Sequence, residues 1–73
     1  MQVKVANRLY RMTHKEYKGL LKIASEQVPF GIYAIEKQGY AELMNQKCES
    51  STQLKKCTRQ LKSQGYRVLS NGR

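Results

Sequence analysis

The sequence contains no aspartate and a single histidine, and it has few acidic residues. The five acids are all glutamate and are scattered along the chain at Glu16, Glu26, Glu36, Glu42 and Glu49. No pair of them is spaced for general acid–base work, and a magnesium site without aspartate is not expected. His14 has no Asp nearby, and no Cys or Ser partner can be placed beside it from the sequence. We therefore predict no catalytic residue and no enzymatic activity.

Cysteines and long apolar runs are also few. Cys48 and Cys57 do not make the disulfide framework of a secreted domain, and their spacing matches no common zinc motif. We therefore expect no metal and no other cofactor. No run of 18 apolar residues is present, so we expect no membrane-spanning helix. Residues 1–4 lack the apolar stretch of a signal peptide, which favours a cytoplasmic location.

Positive charge is what the chain has in excess. Fourteen Lys and Arg against five Glu give a net charge of +9 in 73 residues. Self-repulsion of this size opposes compaction, and such proteins commonly bind nucleic acid or another anion. The alternative is a basic surface whose real contact is a protein. With 40% apolar residues, the chain is expected to form one small domain over residues 1–73 with a thin core.

The first part of the chain predicts a hairpin followed by a helix. Alternating polarity predicts strands over Gln2–Val5 and Arg8–Met12 with a turn at Ala6-Asn7, although one bent strand is the alternative. Thr13 and Glu16 have the spacing of a capping box, which predicts a helix start. The apolar stripe of that helix consists of Tyr17, Leu20, Leu21, Ala24 and Val28.

The middle of the chain predicts a second hairpin. Val28-Pro29-Phe30-Gly31 ends the first helix. Strands are then expected over Gly31–Lys37 and Tyr40–Met44, turning at Gln38-Gly39. Pairing across this turn separates two faces, and the face with the smaller apolar residues suits a packing helix.

The other face of that hairpin is expected to be open and to carry tyrosines. Tyr33 and Tyr40 lie on this face, and Tyr10 of the first hairpin is expected on the same open side of the sheet. Three uses stay open for them: stacking on unpaired bases, a protein or homodimer contact, and core packing.

A second helix is predicted over Thr52–Gln64. Ser50 and Gln53 have the spacing of a capping box, and Gly65 with Tyr66 is typical of a Schellman end. Its expected buried stripe is Leu54, Cys57 and Leu61, whereas Cys48 is expected in an exposed loop.

The last strand is predicted over Tyr66–Ser70, followed by a frayed end at Asn71-Gly72-Arg73. The resulting order, ββ-α-ββ-α-β, predicts an α+β fold with a small antiparallel sheet and both helices on one face. If the first hairpin is a single strand, the order becomes ferredoxin-like.

Both helices carry basic residues on the side away from their apolar stripe. On the second helix these are Lys55, Lys56, Arg59 and Lys62, and this helix has no acidic residue. On the first helix they are Lys15, Lys18 and Lys22. With both helices on one side of the sheet, seven positive charges would share a surface suited to a phosphate backbone. The alternative is that these are ordinary solvated helix faces.

The segment 60–68, QLKSQGYRV, resembles the helix–glycine–strand passage of HicA-type toxins, which are small basic RNA-cutting proteins with a fold like that of double-stranded-RNA-binding domains. That family uses a Gly-Ser-His motif on a strand. Here the one histidine, His14, follows Thr13 at a helix start. The resemblance therefore does not imply ribonuclease activity.

The length, the basicity and the segments 28–33 and 37–43 are similar to those of small accessory proteins of phages and prophages of Gram-positive bacteria. The resemblance carries no functional motif. It implies a setting in which such proteins bind and block host factors, including CRISPR nucleases and other defence systems.

Together these observations predict a non-enzymatic protein whose helix surface engages nucleic acid or a nucleoprotein, with inhibition of a host defence system as the implied setting. The alternative is a protein-interaction module, or a homodimer, that uses the tyrosine-bearing face while its basic surface steers association. A sponge for nucleotide signals would require a concave basic pocket.

Overall fold

A computed structural model describes residues 1–72 as five strands and two helices. In chain order these are β1 Gln2–Val5, β2 Arg8–Arg11, α1 His14–Gln27, β3 Gly31–Lys37, β4 Tyr40–Lys47, α2 Ser51–Ser63 and β5 Arg67–Asn71. The predicted α+β class and the order ββ-α-ββ-α-β are confirmed.

The turn and the cap that begin the chain form as predicted. Ala6 and Asn7 both have left-handed φ values, 50° and 67°, as the central residues of a tight hairpin turn require. At the start of α1, the Thr13 side chain accepts a hydrogen bond from the Glu16 backbone N–H (3.2 Å). The Glu16 carboxylate accepts one from the Thr13 backbone N–H (3.0 Å). The capping box is therefore complete.

The two ends of α2 follow the predicted chemistry with one difference. The Ser50 hydroxyl accepts from the Gln53 backbone N–H at 3.1 Å. The Gln53 side chain, however, accepts from Glu49 rather than from Ser50, at 2.8 Å. At the other end, Gly65 has φ 91°, and the backbone N–H of Tyr66 donates to the Leu61 carbonyl at 3.2 Å. The second bond of the Schellman motif runs from the Gly65 N–H to the Lys62 carbonyl at 3.0 Å.

The last strand is displaced by one residue from its prediction, and Asn71 belongs to it. The Asn71 side-chain amide donates to the carbonyls of Ser25 and Val28, both at 2.9 Å. These bonds tie β5 to the end of α1, so the expected fraying at Asn71 is wrong. Arg73, the last residue of the predicted frayed end, lies outside the described residues.

The sheet is mixed rather than antiparallel. Its strand order is β2-β1-β4-β3-β5. β1 pairs in parallel with β4, placing Val3 opposite Ala41, while the other three pairings are antiparallel. The prediction of a purely antiparallel sheet is therefore wrong. Pairing between β1 and β4 links segments nearly 40 residues apart, which local periodicity does not report.

The two helices lie on opposite faces of this sheet. The carboxylate of Glu36 on β3 accepts a hydrogen bond from the Tyr17 hydroxyl of α1 at 2.6 Å. The next residue, Lys37, places its ammonium 4.5 Å from the ring centroid of Tyr66, which follows α2. Successive residues of a strand point to opposite faces. The prediction that both helices share one face is therefore wrong.

The handedness of chain crossovers accounts for this arrangement. β2 and β3 run in the same direction and are joined through α1, and β4 and β5 likewise are joined through α2. The two pairs run opposite to each other, yet both crossovers move the same way across the sheet. Right-handed crossovers with these directions must pass on opposite faces.

The core is accordingly split between two layers. On the α1 side, Val3, Tyr17 and Ala41 are buried together, with Leu21 and Leu43 packed against them. On the α2 side, the buried strand residues are Ile32 and Ile35. No residue of α2 is fully buried, and its apolar stripe is only half-buried. The second layer is therefore the thinner one.

The Tyr17–Glu36 contact predicts a stability change at high pH. Burial raises the pKa of Tyr17 above its ordinary value of 10.0, and the hydrogen bond to Glu36 raises it further. A raised pKa contributes stability that is present below about pH 10 and is lost as pH rises toward the folded value. We expect Tyr17→Phe to lower the free energy of unfolding by about 1–3 kcal/mol at pH 7. It should also make the decline of stability above pH 10 shallower.

Urea unfolding measures both effects between pH 7 and about pH 11, which is one unit above the ordinary pKa of tyrosine. Tyr10→Phe is the matched control, because the Tyr10 side chain is 44% exposed. It should keep the wild-type slope. Equal slopes for wild type and Tyr17→Phe would contradict the assignment.

Candidate nucleic-acid interface

The outward side of α2 is a continuous basic surface, called here the α2 basic face. Its members are the exposed residues Lys55, Lys56, Arg59 and Lys62. The half-buried stripe Leu54, Cys57 and Leu61 faces the sheet, so the helical period places the cations on the solvent side. From Lys55 to Lys62 the helix rises by about 10 Å, which is enough to contact several phosphates of a nucleic-acid backbone.

A groove runs between α2 and strand β5 at the margin of the sheet. It has a volume of about 460 Å³ and is lined by Leu54, Lys55, Thr58, Arg59, Lys62 and Ser70. β5 is the terminal strand of the sheet, so its outer edge has no neighbouring strand within residues 1–72. Three cations and two hydroxyl groups thus surround a leucine. This donor set suits an anion such as phosphate.

Lys55 and Arg59 occupy the centre of the basic face. Besides the groove beside β5, they line a second depression of about 290 Å³ along the outer surface of α2, together with Thr52, Lys56 and Gln60. A ligand that lies across α2 would therefore contact Lys55 and Arg59 from both depressions.

The charges of the α2 basic face have no acidic counterpart on their own helix. α2 contains no Asp or Glu. Across residues 1–72, the side-chain hydrogen bonds use no Lys or Arg side chain. Arg59 lies four residues after Lys55, three after Lys56 and three before Lys62. Each such like-charge pair weakens a helix by about 0.2–0.5 kcal/mol.

The basic residues of α1 do not join this surface. Lys15, Lys18 and Lys22 are exposed, but α1 lies on the other face of the sheet. α1 also contains Glu16 and Glu26, so its exposed side has both signs of charge. The predicted shared surface of seven cations is therefore wrong, and the basic residues form two separate groups.

Two of the three predicted tyrosines point to opposite faces. Tyr10 pairs directly with Val3, which pairs with Ala41, so Tyr10 lies on the α1 face. Tyr40 precedes Ala41 in β4 and therefore points to the α2 face, where its hydroxyl donates to Glu42 at 3.2 Å.

Tyr33 cannot be assigned to either face of the sheet by strand alternation alone. It sits where the register of β3 shifts between Ile32 and Ala34 against both neighbouring strands. It is half-buried. Tyr10, Tyr33 and Tyr40 therefore do not form the single open face that was predicted.

Part of the α2-side sheet surface is nevertheless uncovered. α2 packs chiefly on β3 and β5 and contacts only the end of β4, which leaves that side of β1, β2 and most of β4 without a helix. Leu9 on β2 is 57% exposed there, near its cross-strand partner Lys4. The open area is thus formed by the sheet margin opposite the α2 basic face.

Cys48 is more buried than Cys57, which is the reverse of the predicted order. Cys48 is buried, because its backbone N–H donates to the Phe30 carbonyl at 3.0 Å and holds the β4–α2 connection against the start of β3. Cys57 is only half-buried under α2. The expected exposure of Cys48 is therefore wrong.

The sequence-based prediction missed two groove residues, Thr58 and Ser70. Thr58 follows Lys55 by three residues, so its place beside the basic face could have been read from the helical period. Ser70 could not, because its position depends on β5 forming the margin of the sheet under α2. Both hydroxyls extend the site beyond the lysines and arginine.

The described part of the chain, residues 1–72, has no candidate metal site. No group of three or more His, Cys, Asp or Glu side chains is placed to hold a metal ion. Neither helix in this range has the length and apolarity needed to cross a bilayer. No protein-family model, curated protein or solved structure shows a significant match to the chain.

Arg59 is the residue at which charge repulsion is most concentrated, so its replacement should stabilise the fold. Gln has nearly the helix propensity of Arg, and Arg59→Gln removes three like-charge pairs. We expect the free energy of unfolding to rise by about 1 kcal/mol at low salt, which raises Tm by roughly 4–8 °C.

Differential scanning fluorimetry at low salt and at about 1 M salt checks this expectation, because high salt screens exposed charges. The gain should be lost at high salt. A variant that is less stable than wild type at low salt would show that Arg59 has a structural role instead.

Proposed function

We propose that the protein is a non-enzymatic binding protein whose α2 basic face contacts the backbone of a nucleic acid. The observation that carries the proposal is a helix with four exposed cations, no acid, and an open groove beside it. Such a helix is less stable than one with mixed charge, and a polyanion would supply the missing counter-charge.

The composition of the face favours contact with phosphates over contact with bases. α2 contains no aromatic residue, and the aromatic residue that follows it in the chain, Tyr66, is half-buried beneath Lys37. Stacking on unpaired bases requires exposed aromatic rings. Lys and Arg side chains with neighbouring hydroxyls are instead the groups that contact phosphate oxygens. The proposed ligand is therefore a duplex, bound with little dependence on sequence.

The inhibitor role implied by the resemblance to phage accessory proteins stays a prediction. In that setting, the same face would bind the guide RNA or the target DNA held by a host nuclease. The groove beside β5, with its three basic residues, keeps the nucleotide-sponge alternative under consideration. Free nucleotides therefore belong among the competitors in any binding test.

A protein contact is the second candidate, and the uncovered margin at β2 supports it. Leu9 and Tyr10 are adjacent large side chains that are 57% and 44% exposed. They lie on opposite faces of an edge strand, a position at which another chain can add by strand pairing. A partner that is retained after nuclease treatment and at high salt would favour this function.

Fluorescence anisotropy with a labelled random-sequence duplex tests the nucleic-acid function. The test variant is Lys55→Gln/Arg59→Gln/Lys62→Gln, titrated between about 50 and 200 mM salt. Each phosphate contact contributes about 0.9 to the slope of log affinity against log salt. We expect the slope to become shallower by roughly 2.7 and the affinity at low salt to fall by more than about tenfold.

The matched control is Lys15→Gln/Lys18→Gln/Lys22→Gln, which removes the same charge from the opposite face of the sheet. It should keep a slope close to that of wild type. Equal losses in the two triple variants would mean that only net charge matters. Displacement of the duplex by mononucleotides at micromolar concentration would favour the nucleotide-sponge function.

A further inference from the structure

Two thiols lie close together where α2 meets the end of β4. Both contact the same residue, Gln46. The Gln46 side-chain amide lies 3.0 Å from the Cys57 sulfur, and the Gln46 carbonyl accepts from the Cys48 thiol at 3.9 Å. Cys48 follows Gln46 by two residues at the end of β4, so strand alternation places the two side chains on the sheet face where Cys57 of α2 contacts Gln46. The fold thus places together two cysteines that are nine positions apart in the sequence.

The two thiols differ in accessibility. Cys48 is 8% exposed, and burial raises the pKa of its thiol, with Cys57 adding to the rise. Cys57 lies on α2 and is half-buried, so a small reagent can reach it more easily. The thiolate is the reactive form of cysteine, and access controls which thiol reacts first. Cys57 is therefore the thiol that reacts first with the reagent. Cys48 is positioned to resolve the mixed disulfide.

We propose that Cys48 and Cys57 form a dithiol site that a small disulfide, such as oxidised glutathione, converts to an intramolecular disulfide. The Cys57 thiolate attacks one sulfur of the reagent, which forms a mixed disulfide and releases the first glutathione thiolate. Cys48 then loses its proton to solvent and attacks the Cys57 sulfur, which releases the second glutathione. The protein is oxidised by two electrons, and the reagent is reduced to two thiols.

The bridge would close the segment 48–57 and fix the first half of α2 to the end of β4. Cys57 belongs to the sheet-facing stripe of α2, so the bond would lie beneath the helix. The cations of the α2 basic face stay on the solvent side. The site is therefore compatible with nucleic-acid binding but does not depend on it.

Incubation of the full chain with oxidised glutathione at pH 8, at about the ordinary pKa of a free thiol, tests the proposal. Trypsin cleaves after Lys47, Lys55, Lys56 and Arg59, so the two cysteines fall in separate peptides, 48–55 and 57–59. We expect mass spectrometry to find these peptides joined and the free-thiol titre to fall from two to none. Closing the loop should raise Tm by roughly 10 °C, and a reductant should reverse the rise.

Single variants separate the two roles and guard against misfolding of a double variant. Cys48→Ser should stop at a glutathione adduct on Cys57, whereas Cys57→Ser should react several-fold more slowly because Cys48 is buried. The reaction of the wild-type chain is the decisive test of the proposed internal disulfide. A stable glutathione adduct without linked peptides, or disulfide-linked dimers in place of the internal bridge, would overturn the proposal.

Discussion

The parallel pairing of β1 with β4 is the constraint on which the rest of the structure depends. Val3 lies opposite Ala41 in this pair, and both side chains are fully buried against α1. Once β1 runs parallel to β4, the directions of the remaining strands follow from their antiparallel pairings. The two crossovers then pass on opposite faces, because each must be right-handed. This one pairing therefore separates α1 from α2 and divides the basic residues between two surfaces.

On its own side of the sheet, α2 has weak apolar packing and repulsion between its cations. Its apolar stripe is only half-buried, and its outward cations repel one another. The helix is held instead by its ends, through the Ser50 cap and the Schellman motif at Gly65. A well-capped helix with unfavourable surface charge is more stable with an anion bound than without one. This coupling between stability and binding is the physical basis of the proposed function.

Features that depend on near neighbours were predictable from the sequence, whereas features that depend on distant pairing were not. The turn at Ala6-Asn7 and the cap at Thr13 follow from residues three or four positions apart. The basic face could be found because a helix places Lys55 and Arg59 on one side. The face of the sheet on which each helix packs depends on β1 meeting β4, which no local pattern encodes. The place of Ser70 in the groove likewise depends on distant strand pairing and could not be predicted from the sequence.

The proposed function requires that a nucleic acid contacts the α2 side of the sheet and leaves the α1 side free. The most direct measurement is a titration of the ¹⁵N-labelled protein with a short duplex, followed through its backbone amide chemical shifts. We expect the shift changes to concentrate in residues 52–62 and 67–70, with α1 nearly unaffected. Changes centred on α1, or on the uncovered strands around Leu9, would contradict the proposed function.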